Sequence, residues 1–312
     1  MASSVLELNG ITKRFGNINA LQDINLHVKQ GELCALIGEN GAGKSTLIKI
    51  VVGLSNKTSG SIRLFGEDRP QELKKTRMRI GYMPDSSGAW QLLSARENMR
   101  ARCAEWGLPE NNIDGILMLV GLADTGNKPV HFFSYGMKRR LDLAVALLGN
   151  PDFLILDEPI NGLDPLGIIE MRELLLRLNR EYGKTRLLSS HNLGEIQKTA
   201  TDYAFIHCGN LLQKLTAVQF ENISKKSFVL RVSDAEKAAG VISGLSKAVV
   251  GEVVQHDEVA LSGYESETLD LISCLSSNGI QIKEMYWRKR SLEEYYQMLM
   301  RGGEQIEKKY TM

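Results

Sequence analysis

Three glycines, a lysine and a hydroxyl pair fall together in the run GENGAGKST, residues 38–46. Gly38 to Ser45 fits G-x-x-x-x-G-K-[ST], a pattern built to hold phosphate. Gly38, Gly41 and Gly43 let the backbone curl so that its N–H groups face inward. A helix beginning at Lys44 would add the partial positive charge of its N-terminus. Lys44 would reach the β- and γ-phosphates, and the Ser45 hydroxyl would bind Mg²⁺. A second chemical cluster ends the apolar run FLILD, where Asp157 and Glu158 stand side by side. Asp157 suits Mg²⁺ at a strand's tip, and Glu158 is placed to polarise a water as general base. His191, after TRLLSS, could contact a γ-phosphate, although a histidine there is also a common structural residue. Ser134, with Gly136 close behind it, reads as the N-cap of a helix. That helix start is either a second phosphate-facing end or an ordinary cap on a core helix.

These residues need elements to hold them. The run GELCALI before the glycines is apolar enough for a buried parallel strand. TLIKIVVG after them reads as a helix stopped at Gly53. Residues 5–37 read as strands, with Leu21, Ile24, Leu26 and Val28 on apolar positions. Residues 67–80 read as a charged surface helix whose basic run, Lys74, Lys75, Arg77 and Arg79, faces solvent. Residues 88–128 read as mostly helical, with a capping box at Ser94 and Glu97 and a second helix ended by Gly121. Leu141, Ala144, Val145 and Leu148 give the helix after Ser134 an apolar stripe. From residue 153 strand, helix and strand alternate to a hairpin at Gly209-Asn210, as expected around a parallel sheet. Beyond about residue 221 the texture changes to strands and helices with no readable chemical motif. The expected fold is therefore α/β in residues 1–221, with a small α+β appendage over 222–312.

Composition limits the alternatives. The 312 residues are 43% hydrophobic and 24% charged, ordinary for a soluble globular chain. The net charge of +1 gives no footprint for nucleic acid. Cys34, Cys103, Cys208 and Cys274 are scattered, which favours reduced thiols in a cytoplasmic protein over a disulfide frame or zinc site. The N-terminus lacks the basic start and apolar run of a signal peptide. No stretch approaches the ~20 apolar residues that cross a bilayer. Work at a membrane would require another chain.

The set and its order resemble the nucleotide-binding subunit of an ABC transporter over residues 5–220. The resemblance implies a P-loop ABC-type ATPase domain with a parallel-sheet core, an antiparallel β subdomain and a helical subdomain at about 86–140. It implies that Phe15 stacks on adenine and that Gly38, Asn40, Gly41, Gly43, Lys44, Ser45 and Thr46 form the Walker A motif. FSYGM, residues 133–137, matches the signature motif, commonly written L-S-G-G-Q. Asp157 matches Walker B, Glu158 the catalytic glutamate, Asn161 to Asp164 the D-loop and His191 the switch histidine. Two such domains pair head to tail in this family, so Ser134 and Gly136 would bind γ-phosphate across the dimer. ATP and Mg²⁺ are the implied ligands. The implied partners are transmembrane permease subunits and a second ATPase, identical or paralogous, and the implied location is the inner face of the cell membrane.

Two positions depart from the pattern. Asp85 stands after IGYMP where the family usually has Gln, a Mg²⁺ contact; Asp85 is shorter and negative, or else simply a turn residue after Pro84. Tyr135 stands where the signature usually has Gly. FSYGMKRRLDLA, DEPINGLDPLGI and SSHNLGEI together look like the bacitracin-resistance and lantibiotic-immunity branch of bacterial exporters, and the tail ending in SLEEYYQML resembles that branch's C-terminal extension. The function expected on that resemblance is an ATP-hydrolysing motor that drives a separate permease and removes a peptide antibiotic. Export of another cargo, a soluble ABC ATPase acting on ribosomes or DNA, and a nucleotide-gated regulator with little turnover are the other readings. Trp90 would line the groove for a permease helix, or else belong to the core of the helical region.

Overall fold

The computed structural model describes residues 3–224, 226–245, 250–262, 268–289 and 291–300. The chain divides into two units, residues 1–218 together with those from Tyr296 onward, and residues 219–295.

In the first unit, β1 (Ser4–Phe15) and β2 (Ile18–Lys29) form an antiparallel hairpin. Leu21, Ile24, Leu26 and Val28 turn inward from β2, as their spacing predicts. β3 (Leu33–Ile37) is buried at all five positions, the mark of a strand covered on both faces. The phosphate-pattern loop follows it, and α1 (Lys44–Val51) begins at the lysine. The chain leaves α1 through Gly53 at φ +85°. β4 (Ser59–Leu64) returns to the antiparallel layer, whose order is β2-β1-β4. The charged stretch after it is helical only as α2 (Pro70–Thr76), followed by a 3₁₀ turn at Arg77–Arg79. Pro70 sets the start, because proline suits a first turn and no later position.

β5 (Ile80–Met83) leads into the helical region of α3 (Ala95–Trp106), α4 (Ile113–Leu119) and α5 (Tyr135–Ala146). Ser94 caps α3 reciprocally with Glu97: Glu97 N–H donates to Ser94 Oγ at 3.3 Å and Ser94 N–H to Glu97 Oε2 at 2.8 Å. Then come β6 (Phe153–Asp157), α6 (Pro165–Arg180), β7 (Thr185–Ser190), α7 (Leu193–Gln197), β8 (Asp202–His207) and β9 (Asn210–Thr216). Their sheet runs β5-β6-β7-β3-β8-β9, parallel except for the β8–β9 hairpin. Parallel pairing brings the C-terminal ends of β3, β6 and β7 to one edge, where open α/β sheets bind ligands.

Leu6, Leu8, Ile24, Leu36, Leu47, Ile48, Phe153, Ile155 and Ile206 belong to one buried cluster spanning the two sheets. Each such side chain contributes roughly 1.5–3 kcal/mol of transfer free energy. That packing makes the sheet edge a rigid platform.

The second unit is an antiparallel sheet of β10 (Lys226–Val232), β11 (Val250–Gln255), β12 (Glu258–Ser262) and β13 (Ile282–Lys289), in the order β11-β12-β10-β13. Helices Ala235–Leu245 and Thr268–Ser277 share its core through Ala238, Ile242, Leu271 and Leu275, packed with Leu230 and Leu261. The expected α+β stretch 248–264 falls partly, at 248–249 and 263–264, outside the described residues, as do the last twelve residues of the chain.

Candidate phosphate-binding site

Gly38 closes β3 against its neighbour. A Cβ placed there would lie 2.4 Å from the Ile206 carbonyl oxygen on β8. Gly43, at φ +106°, would put a Cβ 2.8 Å from Leu21 Cδ2 and 2.9 Å from the Ala20 oxygen. Both positions exclude any larger residue, so the glycines of the pattern are fixed by close approach as well as by curvature. The loop is tied down from the hairpin side, where Gly209 N–H donates to Ala42 O at 3.0 Å. Cys208, exposed and at φ +45°, is the preceding residue.

Lys44 is 5% exposed at the start of α1. Its Nζ donates to the carbonyls of Gly38 at 2.6 Å and Glu39 at 3.1 Å. It also stands 3.4 Å from Glu158 Oε1, close enough for charge attraction but not aligned as a hydrogen bond. Ser45 Oγ donates to Asp157 Oδ1 at 3.2 Å. The hydroxyl and the carboxylate, joined across the sheet edge, form a hard-oxygen pair that suits a small divalent cation. No group of three or more His, Cys, Asp or Glu that could hold a metal occurs among the described residues. A cation here would take its remaining ligands from phosphate and water.

Asp157 ends β6, and Glu158 takes the left-handed φ of +48° that glycine or asparagine usually fills. That conformation turns the carboxylate back toward the loop. His191 Nδ1 lies 3.0 Å from Glu158 Oε2. Glu158 Oε1 is buried and has no hydrogen-bond partner among the described residues. A buried acceptor left open costs free energy unless something else fills it. Ser189, which the sequence reading passed over, joins the two carboxylates: its hydroxyl donates to Asp157 Oδ1 at 2.5 Å and accepts the Glu158 N–H at 2.9 Å. Its one sequence signal is a hydroxyl in the last buried positions of TRLLSS, where an apolar residue is expected.

Arg139 is a second residue the motifs do not reveal. It is 1% exposed on α5 and donates to the carbonyls of Pro84 (2.9 Å), Asp85 (2.8 Å), Asp157 (3.3 Å) and Glu158 (2.9 Å). It therefore straps the loop after β5 and the end of β6 to the helix behind Ser134. The buried face of α5 accordingly includes Arg139 and Asp142 beside Leu141 and Ala144, while Val145 is only half-buried. Burial pushes the Asp142 carboxyl up, opposed by the Ser87 hydroxyl and by Arg139. The Tyr82 phenol is pushed up to about 12, by burial first and then by the negative charges of Asp157 and Asp85.

Of the remaining expected residues, Asp85, Ser134, Gly136 and Phe15 lie outside the loop that carries Lys44 and Ser45. Asp85 is exposed and its carboxylate makes no hydrogen bond or ion pair among the described residues. Ser134 caps α5 by accepting Met137 N–H at 3.2 Å. Among the described residues, no hydrogen bond joins Ser134 or Gly136 to residues 38–46. Tyr135 is half exposed and borders Gly162, whose Cβ would fall 3.0 Å from its ring. Phe15 is 53% exposed with the Lys13 ammonium 4.6 Å from its ring centre, so one aromatic face is open to stacking. Asn40 and Gly41 are exposed in the loop, and Thr46 lies one residue into α1 beyond Ser45.

A groove of about 310 Å³ in the helical region is lined by Leu54, Tyr82, Pro84, Asn98, Arg102 and Trp106, among others. Trp90 is 41% exposed rather than core, and Arg102 lies 4.2 Å over its ring. No helix among the described residues is long and apolar enough to cross a membrane.

Residues 21–161 match the family model described as ABC transporter. The bacitracin transport ATP-binding protein BcrA of Bacillus licheniformis is 36% identical over 302 residues, covering 96% of this chain and 99% of that protein. The lantibiotic transport ATP-binding protein SrtF of Streptococcus pyogenes is 39% identical over 222 residues, 71% of this chain and 95% of the relative. Among solved structures, the dimeric, post-hydrolysis ATP-binding cassette MJ0796 bound to ADP and Pi superposes with a TM-score of 0.61 at 25% identity, covering 68% of this chain and 98% of its own.

Proposed function

Since the chain belongs to the ATP-binding subunits of ABC transporters, a family of ATPases coupled to transport, we propose that its site hydrolyses MgATP with Glu158 as base and that the work drives export of a peptide antibiotic. The observation that carries the catalytic part is the geometry of Glu158. Its carboxylate is buried, oriented by His191 on one oxygen, and open on the other beside the lysine of the phosphate loop.

The roles follow from chemistry. Lys44 exchanges two backbone carbonyls for phosphate oxygens when nucleotide enters. Ser45 and Asp157 would hold Mg²⁺, which supplies charge neutralisation between the phosphates. Glu158 accepts a proton from water as the water oxygen bonds to the γ-phosphorus and the bond to the ADP oxygen breaks. His191 keeps the carboxylate turned toward that water. Asp85 is a further candidate for the cation's shell. Phe15 stacks on the base. Ser134 and Gly136 bind γ-phosphate on a second copy or a paralogue, which is supported by the dimer formed by the MJ0796 cassette. Thr46, Asn40 and the glycines line the phosphates with backbone N–H groups.

The permease partner would seat a helix in the groove beside Trp90 and Arg102, and the chain would then work at the inner face of the membrane. The near full-length likeness to BcrA, together with SrtF, supports a peptide antibiotic as cargo. A strain lacking this gene should become sensitive to bacitracin-like or lantibiotic peptides. Wild type should restore resistance and Glu158→Gln should not. No sensitisation across such a panel, with the gene expressed, would remove the cargo assignment and leave the ATPase.

A further inference from the structure

Besides the Gly209 bond to Ala42, the phosphate loop has a support from still farther along the sequence. Tyr296 belongs to the helical run 292–300, directly after the last residue of the second unit, and groups with the first unit. It is 4% exposed. Its ring stacks on Phe205 of β8, with centres 5.9 Å apart and planes 18° from parallel. Its hydroxyl uses both of its capacities: it donates to the Ile206 carbonyl at 3.2 Å and accepts the Glu39 N–H at 3.3 Å, 257 residues away. Burial raises the phenol's pKa, so the hydroxyl stays protonated and able to donate.

Glu39 is the second residue of the loop, and its other backbone group, the carbonyl, receives the Lys44 ammonium. The Ile206 carbonyl is the same one that excludes a side chain at Gly38. One phenol oxygen thus bridges the strand end that Gly38 packs against and the peptide that positions Lys44. We propose that Tyr296 is a positioning residue for nucleotide: it fixes the Glu39 peptide so that the loop and Lys44 are preorganised for the phosphates. This rests on the ATPase reading above and adds the tail of the chain to the nucleotide site. A loop organised before ATP arrives favours ground state and transition state alike, so losing the hydroxyl should raise KM and spare kcat.

The test uses the full chain with Tyr296→Phe, which keeps the ring stacked and deletes the hydroxyl. The expected result is an ATP KM three- to ten-fold higher, the range of one hydrogen bond, with kcat within about twofold. The nucleotide-free melting temperature should change little. An unchanged KM, or a fall in kcat and melting temperature at constant KM, would overturn the proposal. If wild type shows no turnover above Lys44→Ala, the ATPase reading fails instead, and the same comparison is read from equilibrium ATP binding. Hydrogen exchange needs no variant: the Glu39 amide of the nucleotide-free wild type should be protected, and exchange at the rate of an open loop would sink the assignment.

Discussion

Glu158 sits in a backbone conformation that costs a non-glycine residue on the order of 1 kcal/mol or more, yet it is buried among Lys44, His191 and the Ser189 hydroxyl. Strain of this kind persists where the neighbours over-determine it. Asp142 offers a separate test of charge at this scale. Its folded pKa is raised, so the folded state holds its proton more tightly than the unfolded chain. Its favourable contribution is therefore present at low pH and lost as pH rises through the raised pKa. Against Asp142→Asn, wild type should gain in melting temperature as pH falls from 7 toward 4; an opposite slope would refute the sign. Lys44, Asp157 and Glu158 were legible in the sequence because their types and spacing are local. Ser189 was not, since its meaning depends on the parallel register that sets Ser189 opposite Asp157. Arg139 was hidden as one of three consecutive basic residues, only one of which the helix turns inward.

At the scale of elements, close approach governs the phosphate loop. Gly43→Ala adds a methyl at 2.8 Å from Leu21 and at a positive φ. We expect a loss of about 1–3 kcal/mol of stability and at least a tenfold loss of ATP affinity, read by thermal unfolding and nucleotide titration. β7 carries a different liability. Arg186 is 1% exposed, its Nε and Nη1 have no hydrogen-bond partner among the described residues, and burial pushes its guanidinium down to about 9. Methionine of similar length would leave no charge to desolvate. Arg186→Met should be neutral or stabilising, by up to about 4 kcal/mol; a clear fall in melting temperature would mean the guanidinium has an undetected anionic partner. The elements themselves were largely readable, because buried parallel strands are continuous apolar runs and glycines mark the ends of α1 and α4. At 67–80 the helix is shorter than the charged stretch, because charge alone does not set helix length, whereas Pro70 fixes where α2 can begin.

For the whole molecule, the proposed ATP site, with Ser134 and Gly136 supplied by a second subunit, requires assembly. Glu158→Gln with ATP and Mg²⁺ should shift from monomer to dimer in light scattering, and Lys44→Ala should not. Chains that remain monomeric with ATP at high concentration would contradict the head-to-tail arrangement. The sequence marks the residues proposed for both half-sites but not the return of Tyr296 to the loop, because nothing in SLEEYYQML marks one tyrosine as a hydrogen-bond bridge.

The four thiols differ in what a reagent can reach. Cys34 and Cys103 are buried, and the Cys34 thiol is pushed up to about 12, which leaves it inert. Cys274 is half covered, while Cys208 is exposed at the hairpin tip, one residue before the glycine bonded to Ala42 of the phosphate loop. A maleimide fluorophore should attach there first. The unmodified sequence thus carries its own labelling handle, with a dye beside the phosphate loop whose signal should follow nucleotide arrival and release in real time.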